Sequence, residues 1–266
     1  MQLTEDVDDF LARAGDFLRS RPALHTTPLT TLEKLRTHGS DGTVFGWLED
    51  AFCYLRPSGR LTLTSLAPEQ VATVVALWAG LGRPLSGVIA DHDTATAFAE
   101  AWQQRTGASG VPGVRVRLHR LGTLTPPEPV PEGRARVLGT SDRAEIVRWC
   151  VDFAATVGEA LEPDAWDASR FGDKHYVFWE TDGPVAMAGS TSMVAGMVRV
   201  DPVYTPAHLR GRGYAGAVTM AVSRAALAAG ATDVVLYTNP DNATSNALYR
   251  RIGYVPIADF TGYDFG

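Results

Sequence analysis

Four consecutive residues, Arg210-Gly211-Arg212-Gly213, combine the charge and the backbone freedom that an anion site needs. Because the two glycines lack Cβ atoms, backbone N–H groups can approach a ligand closely there. The apolar pattern that follows predicts a helix, whose unpaired N–H groups and positive dipole end would point at the same place. The two arginines add positive charge. The chemistry that this pattern indicates is the binding of a pyrophosphate.

The segments on either side of these glycines extend the pattern. An apolar strand ending Val200–Tyr204 precedes them, and a second apolar strand over 234–239 follows the helix. A short helical segment then carries Asn242, Asn246 and Tyr249 and ends at a Gly-Tyr pair. In order and spacing this sequence resembles the GNAT superfamily of N-acetyltransferases. That superfamily has an acyl-CoA loop, Arg/Gln-x-x-Gly-x-Gly/Ala, and an Asn and a Tyr on a short helix ending at Gly-Phe/Tyr. The resemblance covers about residues 134–266.

The resemblance implies that the chain uses acetyl-CoA as its acyl-donor co-substrate. In the family the pantetheine arm lies along the strand before the loop, so backbone groups of Val203 and Thr205 are its expected partners. A backbone N–H near Val200 would hold the thioester oxygen. The expected cofactor-binding residues are Val200, Val203, Tyr204, Thr205, Arg210, Gly211, Arg212, Gly213, Tyr214, Ala215, Asn242 and Asn246.

The resemblance also implies a catalytic role for Tyr249, which in the family lies beside the sulfur of the cofactor. A phenol with a pKa near ~10 is protonated at neutral pH and can donate to a departing thiolate. Asn246 lies three residues earlier and shares a helix face with Tyr249, while Asn242 is the better N-cap candidate. A tyrosine that only packs under the sheet is the alternative interpretation.

The general base is the point at which this sequence departs from the family. Many members place a glutamate on the strand before the loop, but residues 193–200 contain no carboxylate. Glu162 and Glu159, in the segment that lines the acceptor site in the family, are the next candidates, each acting through water. Both could equally be solvated carboxylates. Since an α-amine is less basic than a lysine side chain, the lack of a strong base hints at a less basic acceptor amine.

The functional hypothesis is direct transfer of an acetyl group from acetyl-CoA to an amine of a small molecule or peptide, without a covalent enzyme intermediate. Two alternatives stay open. The chain could use a different acyl-CoA, or it could be a non-catalytic CoA-binding sensor or interaction protein. Retention of Tyr249 favours catalysis, whereas the missing strand carboxylate favours the sensor.

The composition and charge of the chain limit the kinds of partner that the protein could bind and its expected location in the cell. A net charge of −6 argues against nucleic-acid binding through a basic surface. Cys53 and Cys150 lie far apart in apolar segments, which is typical of reduced cysteines, and the six histidines show no metal-ligand spacing. The acidic N-terminus is unlike a signal peptide, and no apolar run reaches the ~18 residues that span a bilayer. We therefore expect a cytoplasmic protein with no metal, membrane or nucleic-acid partner, and a homodimer is one expected assembly.

Four prolines between residues 126 and 132 predict an extended linker. We expect an N-terminal domain over 1–124, a linker over 125–133 and a catalytic GNAT domain over 134–266. In the latter, a capping box at Ser141 predicts a helix to about Val157, and a short helix is expected over Pro163–Arg170. The hydrophobic patterns predict an α+β fold, a mixed and mostly antiparallel sheet flanked by helices.

The first half is less regular. Its patterns predict helices over Thr4–Ser20, Pro68–Leu81 and Asp91–Arg105, and strands over Val44–Leu55, Arg60–Leu66, Leu85–Ala90 and Val114–Leu121. These elements fit a second, degenerate GNAT-like α/β domain without a cofactor loop, as in tandem members of the superfamily. An unrelated α/β domain is the alternative. We expect this half to cover the acceptor side of the catalytic half or to form a dimer contact.

Overall fold

The computed structural model describes residues 1–266, which form two compact units. Unit 1 consists of Met1–Leu118, Thr238–Asp241 and Ile257–Gly266. Unit 2 consists of His119–Tyr237 and Asn242–Pro256. The last residues of the chain therefore belong to the unit that contains its first residues. The division into domains at residues 125–133 stays a prediction.

The two halves of the chain repeat one order of elements, except that one helix of the first half, α2, has no α-helical counterpart in the second half. The first half contains β1 (Gln2–Thr4), α1 (Val7–Ser20), α2 (Thr26–His38), β2 (Val44–Leu48), β3 (Ala51–Leu55), β4 (Arg60–Leu63), α3 (Pro68–Gly80), β5 (Gly87–Asp91), α4 (His92–Thr106) and β6 (Gly110–Leu121). The second half contains β7 (Arg134–Val137), α5 (Arg143–Thr156), β8 (Lys174–Glu180), β9 (Pro184–Thr191), β10 (Met197–Tyr204), α6 (Tyr214–Ala228), β11 (Asp233–Thr238), α7 (Ala243–Arg251) and β12 (Tyr254–Phe265). In both halves an antiparallel meander is followed by a strand–helix–strand crossover.

Unit 1 is a sheet with helices on both faces. Strands β1 to β4 pair antiparallel in sequence order, β4 pairs parallel with β5, and residues 260–264 of β12 pair antiparallel with β5. One face packs under α3 and α4, where Trp78, Phe98 and Trp102 are buried. Because side chains alternate along a strand, Phe45 points to the opposite face, where Phe10 of α1 stacks on it with ring centroids 5.0 Å apart.

Unit 2 is built in the same way. Strands β7 to β10 pair antiparallel in sequence order, and β10 pairs parallel with β11. Val200 of β10 and Val218 of α6 share one hydrophobic core. Trp149 of α5 and Phe178 of β8 lie in a second core, with ring centroids 4.9 Å apart. The prediction of an α+β fold with a mixed, mostly antiparallel sheet and flanking helices is confirmed.

The structure differs from several local predictions in addition to small shifts of boundaries. Helix α2 was missed because its threonine-rich sequence has poor intrinsic helix propensity, and burial of Leu29, Leu32 and Leu35 stabilises it instead. Ser141 is not the N-cap of the predicted helix: it lies in a 3-10 turn over Thr140–Asp142, and α5 begins directly after this turn, at Arg143, with Asp142 at the N-cap position. The helix expected over Pro163–Arg170 is only a 3-10 turn over Pro163–Ala165.

The segment predicted as extended over Val44–Leu55 is a hairpin of β2 and β3, and a further strand, β1, precedes α1. None of the helices is both long and apolar enough to cross a membrane.

Candidate functional site

The loop between β10 and α6 has the backbone shape that its glycines predict. Gly211 and Gly213 have φ angles of 79° and 81°, in the left-handed region that costs an L-residue about 1–2 kcal/mol. Gly213 is the N-cap residue of α6. No atom lies within 4 Å of the place where a Cβ on Gly211 would be. The backbone conformation therefore favours glycine at both positions, and Gly211 faces open space, whereas a Cβ on Gly213 would lie 3.7 Å from the Pro131 ring.

The first turn of α6 has its N–H groups available for a ligand. No side chain caps this helix, and its first turn contains no acidic residue. Gly211, Arg212 and Gly213 are all exposed. Because the first N–H groups of a helix have no partner within it, this corner offers several aligned donors and the positive end of the helix dipole. The geometry suits a phosphate group.

The connection from β10 to this corner contains a second group that could contact a ligand, the hydroxyl of Thr205. Arg210 Nε donates to the Thr205 carbonyl oxygen over 3.0 Å, so the arginine holds the 205–210 turn closed. The Thr205 hydroxyl is shielded from solvent and has no hydrogen-bond partner in the structure. A buried hydroxyl without a partner is costly in a protein interior. Thr205 was predicted to contact the pantetheine arm, whose amides could satisfy this hydroxyl.

Strand β10 departs from a regular ladder at the position where the thioester is expected. Its pairing with β9 shifts between Val200 and Val203, so two residues of β10 oppose Gly189 alone. Pairing with β11 extends from Met197 to Val200 and goes no further along β10. A β-bulge leaves an extra residue outside the ladder and redirects its backbone groups. A Cβ on Gly189 would lie 2.8 Å from the Asp201 carbonyl oxygen, so the bulge requires glycine opposite it.

Tyr249 lies in the core under the sheet, 8% exposed. Burial raises the pKa of its phenol, next to the Thr219 hydroxyl, so the hydroxyl stays protonated throughout the neutral range. The ring of Tyr254 stands at 72° to it, with centroids 6.1 Å apart. The structure thus provides a proton donor at this position, and its catalytic role stays a prediction.

The two asparagines of α7 have different surroundings. Asn242 is the N-cap, and its Oδ1 accepts from the Ser245 N–H over 3.0 Å, as predicted from its position. Asn246 is 4% exposed, and its Nδ2 donates to the Asn242 carbonyl oxygen. Its Oδ1 lies 3.2 Å from Nε2 of His119, a buried residue of β6 that sequence analysis missed. No local motif could have identified His119, because its partners come from the other end of the chain.

The two predicted bases lie in different environments. Glu162 is exposed and precedes the 3-10 turn at Pro163. Glu159 forms an ion pair with Arg170, with oxygen–nitrogen distances of 3.0 and 3.3 Å. Arg170 also donates to both oxygens of Asp201, the first residue of the β10 bulge, over 2.8 and 2.7 Å. Glu159 and the strand carboxylate Asp201 therefore share one guanidinium.

Asp201 has a second cationic partner that sequence analysis did not identify. Lys174 of β8, whose side chain is 3% exposed, forms an ion pair with it. Burial lowers the pKa of Lys174 to about 8, although the Asp201 charge opposes this. Burial alone would raise the pKa of Asp201, but the adjacent Lys174 and Arg170 cations lower it. Asp201 is thus a carboxylate held in its ionised form, which makes it a poor acceptor of protons.

The comparisons with known proteins agree with this geometry. Residues 188–261 match a family described as FR47-like protein. A GCN5-related N-acetyltransferase from Kribbella flavida is 24% identical, with a TM-score of 0.54 over 80% of this chain and 86% of that one. An acetyltransferase of the GNAT family from Colwellia psychrerythraea is 12% identical, with a TM-score of 0.66 over 100% of both chains.

A tandem GNAT protein from the clavulanic acid biosynthesis pathway is 11% identical, with a TM-score of 0.59 over 98% of both chains. Comparison with curated proteins finds no match. The similarity to the tandem protein extends over both halves of the chain, and the family match includes β10, the glycine loop and α7. The chain therefore has the fold of these acetyltransferases, as the resemblance of its motifs predicted.

Proposed function

We propose that this protein is a CoA-dependent N-acyltransferase that transfers an acetyl group from acetyl-CoA to an amine of a small molecule or peptide. The observation that carries the proposal is the pair of left-handed glycines, Gly211 and Gly213, at the exposed and uncapped start of α6. This corner follows a bulged strand directly, so an anion site and a set of redirected backbone groups are adjacent along the chain.

The residues present fit the parts of acetyl-CoA in order. The backbone from Gly211 to Ala215 would bind the pyrophosphate, with Arg210 and Arg212 supplying charge. The unpartnered Thr205 hydroxyl and the backbone of Val203 and Tyr204 would bind the pantetheine arm. The remaining residues predicted to bind the cofactor, Asn242 and Asn246, already make hydrogen bonds within α7, so we assign them the role of ordering that helix.

Bound acetyl-CoA would supply an activated acyl carbon with a thiolate leaving group. In the reaction the neutral acceptor nitrogen forms a bond to that carbon, the carbon–sulfur bond breaks, and the nitrogen loses one proton while the sulfur gains one. An N–H at the Val200 bulge would stabilise the charge that grows on the acyl oxygen. Pro202 has no N–H, so the donor would come from Val200 or Asp201.

A tyrosine and a glutamate would carry out the two proton transfers. Tyr249, protonated at neutral pH because it is buried, would donate to the departing sulfur. Among the carboxylates, Glu162 is the better base because Glu159 is paired with Arg170. Glu162 would act through water on the exposed side of the site.

Two other functions have an observation in their favour. The state of Asp201, the carboxylate of β10, supports a CoA-binding sensor or interaction protein without turnover, because its ion pairs with Arg170 and Lys174 leave no free base on that strand. The superfamily loop binds the shared CoA moiety, so a longer acyl-CoA is equally compatible with Gly211 and Gly213.

A single-turnover assay separates these functions. The full chain would be mixed with acetyl-, propionyl- or succinyl-CoA and a panel of amines, and free thiol would be measured over time together with acyl-CoA affinity by calorimetry. We expect micromolar affinity for acetyl-CoA and amine-dependent thiol release. Affinity without release from any amine would favour the sensor, and absence of affinity would contradict the proposal.

A further inference from the structure

A cluster of charges and rings lies beside the β10 bulge, and we call it the Arg170 cluster. It comprises Arg170, Glu159, Asp201, Phe153 and Phe171. The Arg170 guanidinium carbon lies 4.2 Å from the ring centroid of Phe171 and 5.7 Å from that of Phe153. Two carboxylates and two rings therefore hold one guanidinium in a defined orientation.

The two carboxylates that contact Arg170 differ in how firmly they are held. The Asp201 side chain is 20% exposed and also pairs with the buried Lys174. The Glu159 side chain is 49% exposed, follows Gly158 in the loop after α5, and has Arg170 as its ion-pair partner. Because an ion pair that is exposed to solvent contributes little to stability, moving Glu159 into water costs little. Moving Asp201 would break its ion pair with the buried Lys174 as well as its ion pair with Arg170.

The charge that remains after Glu159 moves away suits a carboxylate ligand. Arg170 and Lys174 carry two positive charges and Asp201 one negative charge, which leaves one net positive charge. The guanidinium would keep its contacts with Asp201 and Phe171, so it would be preoriented for a ligand. Arginine binds carboxylates through two parallel hydrogen bonds, as Arg170 binds Glu159 here.

The location of the cluster connects it with acyl transfer. Asp201, which contacts the guanidinium, is the first residue of the bulge where we place the acyl oxygen. A ligand carboxylate on Arg170 would therefore lie close to the transferred acyl group.

Building on the proposed function, we infer that the acceptor is an amine that carries a carboxylate, of the α-amino acid class, and that its carboxylate binds Arg170. Glu159 occupies that position in the free protein. The Glu159 carboxylate then takes the place of the ligand carboxylate on Arg170, and Glu159 is not the general base. The neutral form of an α-amine is also more available at pH 7 than that of a lysine side chain, since its pKa is about 8 against about 10.4.

The first test is equilibrium binding to the full chain saturated with CoA. Each protein amino acid would be titrated by calorimetry beside its carboxamide, which keeps the amine and removes the carboxylate charge. We expect at least one amino acid to bind about 10-fold or more tightly than its amide. R170Q should remove this preference. R148Q, at an exposed arginine of α5 paired with Glu145, is the matched control and should keep it.

The second test uses turnover to decide whether Glu159 competes with the ligand carboxylate or acts as the general base. With the amino acid that binds, E159Q should lower KM about 2- to 5-fold, because an internal competitor of modest strength is removed. If Glu159 were the base, E159Q would lower kcat by roughly 100-fold. E145Q, an equivalent change at an exposed glutamate of α5, is the control.

Three results would overturn the inference: no amino acid binds, acids and amides bind equally, or E159Q loses kcat. Acetyl-CoA affinity is measured on the same samples without acceptor. Loss of that affinity in the unmodified chain would contradict the proposed function itself, whereas intact affinity with no acid–amide difference would contradict only the carboxylate site.

Discussion

Helices α3 and α6 occupy the same place in the element order of the two halves, yet their first turns differ. Before α6 the chain has two left-handed glycines and no capping side chain. Helix α3 begins with Pro68, which has no N–H. The Ala67 N–H donates to Gln70 Oε1 over 2.9 Å, and the Leu66 N–H donates to the Thr94 hydroxyl over 3.0 Å.

The charges around the two helix starts also differ. The first turn of α3 contains Glu69, and Gln70 Nε2 lies 3.4 Å from Glu49 and 3.5 Å from Asp50. A phosphate at this helix would meet carboxylates and N–H groups that already have partners. The same strand–turn–helix framework can therefore offer an anion site or close it, depending on a few residues in the turn. This supports a first half that kept the fold without a cofactor site.

The largest expected effect comes from removing the open corner of unit 2. G213V places a branched side chain at a φ of 81° in front of α6, so we expect acetyl-CoA affinity to fall at least ~100-fold while the chain still folds. Calorimetric titration measures the affinity. G230V is the matched control, because Gly230 follows the other end of α6 with a φ of 93° and has open space around it. Equal affinity loss in both variants would contradict the loop assignment.

The next effect concerns the proton donor of unit 2. Y249F should keep acetyl-CoA affinity and lower kcat by roughly 100-fold, since a general acid acts mainly in the transition state. The control is Y254F, which also removes a buried hydroxyl, one lying 2.7 Å from the Ser223 hydroxyl. Both variants should lose similar stability. Stopped-flow measurement of the chemical step tests the difference, and an unchanged rate in Y249F would leave this tyrosine with a packing role only.

The comparison also predicts how many cofactors bind. The N–H groups at the start of α3 already donate to side chains of the same protein, so of these two helix starts only that of α6 is open to a phosphate. The full protein should therefore bind one acetyl-CoA. Q70A, which removes the bond to the Ala67 N–H, should lower the free energy of unfolding by about 1 kcal/mol without changing affinity or stoichiometry. Urea denaturation measures the free energy of unfolding, and calorimetry measures the affinity and the stoichiometry. A second bound acetyl-CoA would show that unit 1 has a site of its own.

The smallest expected effect is a difference in acid sensitivity within unit 1. Burial lowers the pKa of His25 below 6.5, while its Nδ1 donates to the Leu18 carbonyl oxygen over 3.0 Å. As pH falls through 6.5, the unfolded state binds a proton that the folded state resists, so stability decreases. Between pH 7.5 and 5.5 the free energy of unfolding of H25L should therefore decrease by about 1 kcal/mol less than that of the unmodified chain. H38Q is the control for urea midpoints at both pH values, because His38 is an exposed histidine at the other end of α2, whose N-cap residue is His25.

Most of unit 2 follows from local sequence signals. Strand β10 ends at Tyr204 as predicted, and β11 differs by one residue from the apolar strand expected over 234–239. Helix α2 shows where such signals end, because packing of its leucines outweighs a poor intrinsic propensity. The bulge in β10 was also not evident, since it depends on Gly189 in the neighbouring strand.

By itself the sequence determined the glycine corner and the α+β fold, because these depend on backbone conformations that nearby residues impose. Only the tertiary structure decided which charges meet. Arg170 and Lys174 lie 31 and 27 residues before Asp201, and His119 contacts Asn246, which lies 127 residues later. Buried ion pairs and side-chain hydrogen bonds depend on distances of a few ångströms, which strand register and packing set. The residue that we assign to acceptor binding could therefore be found only once the strands were in place.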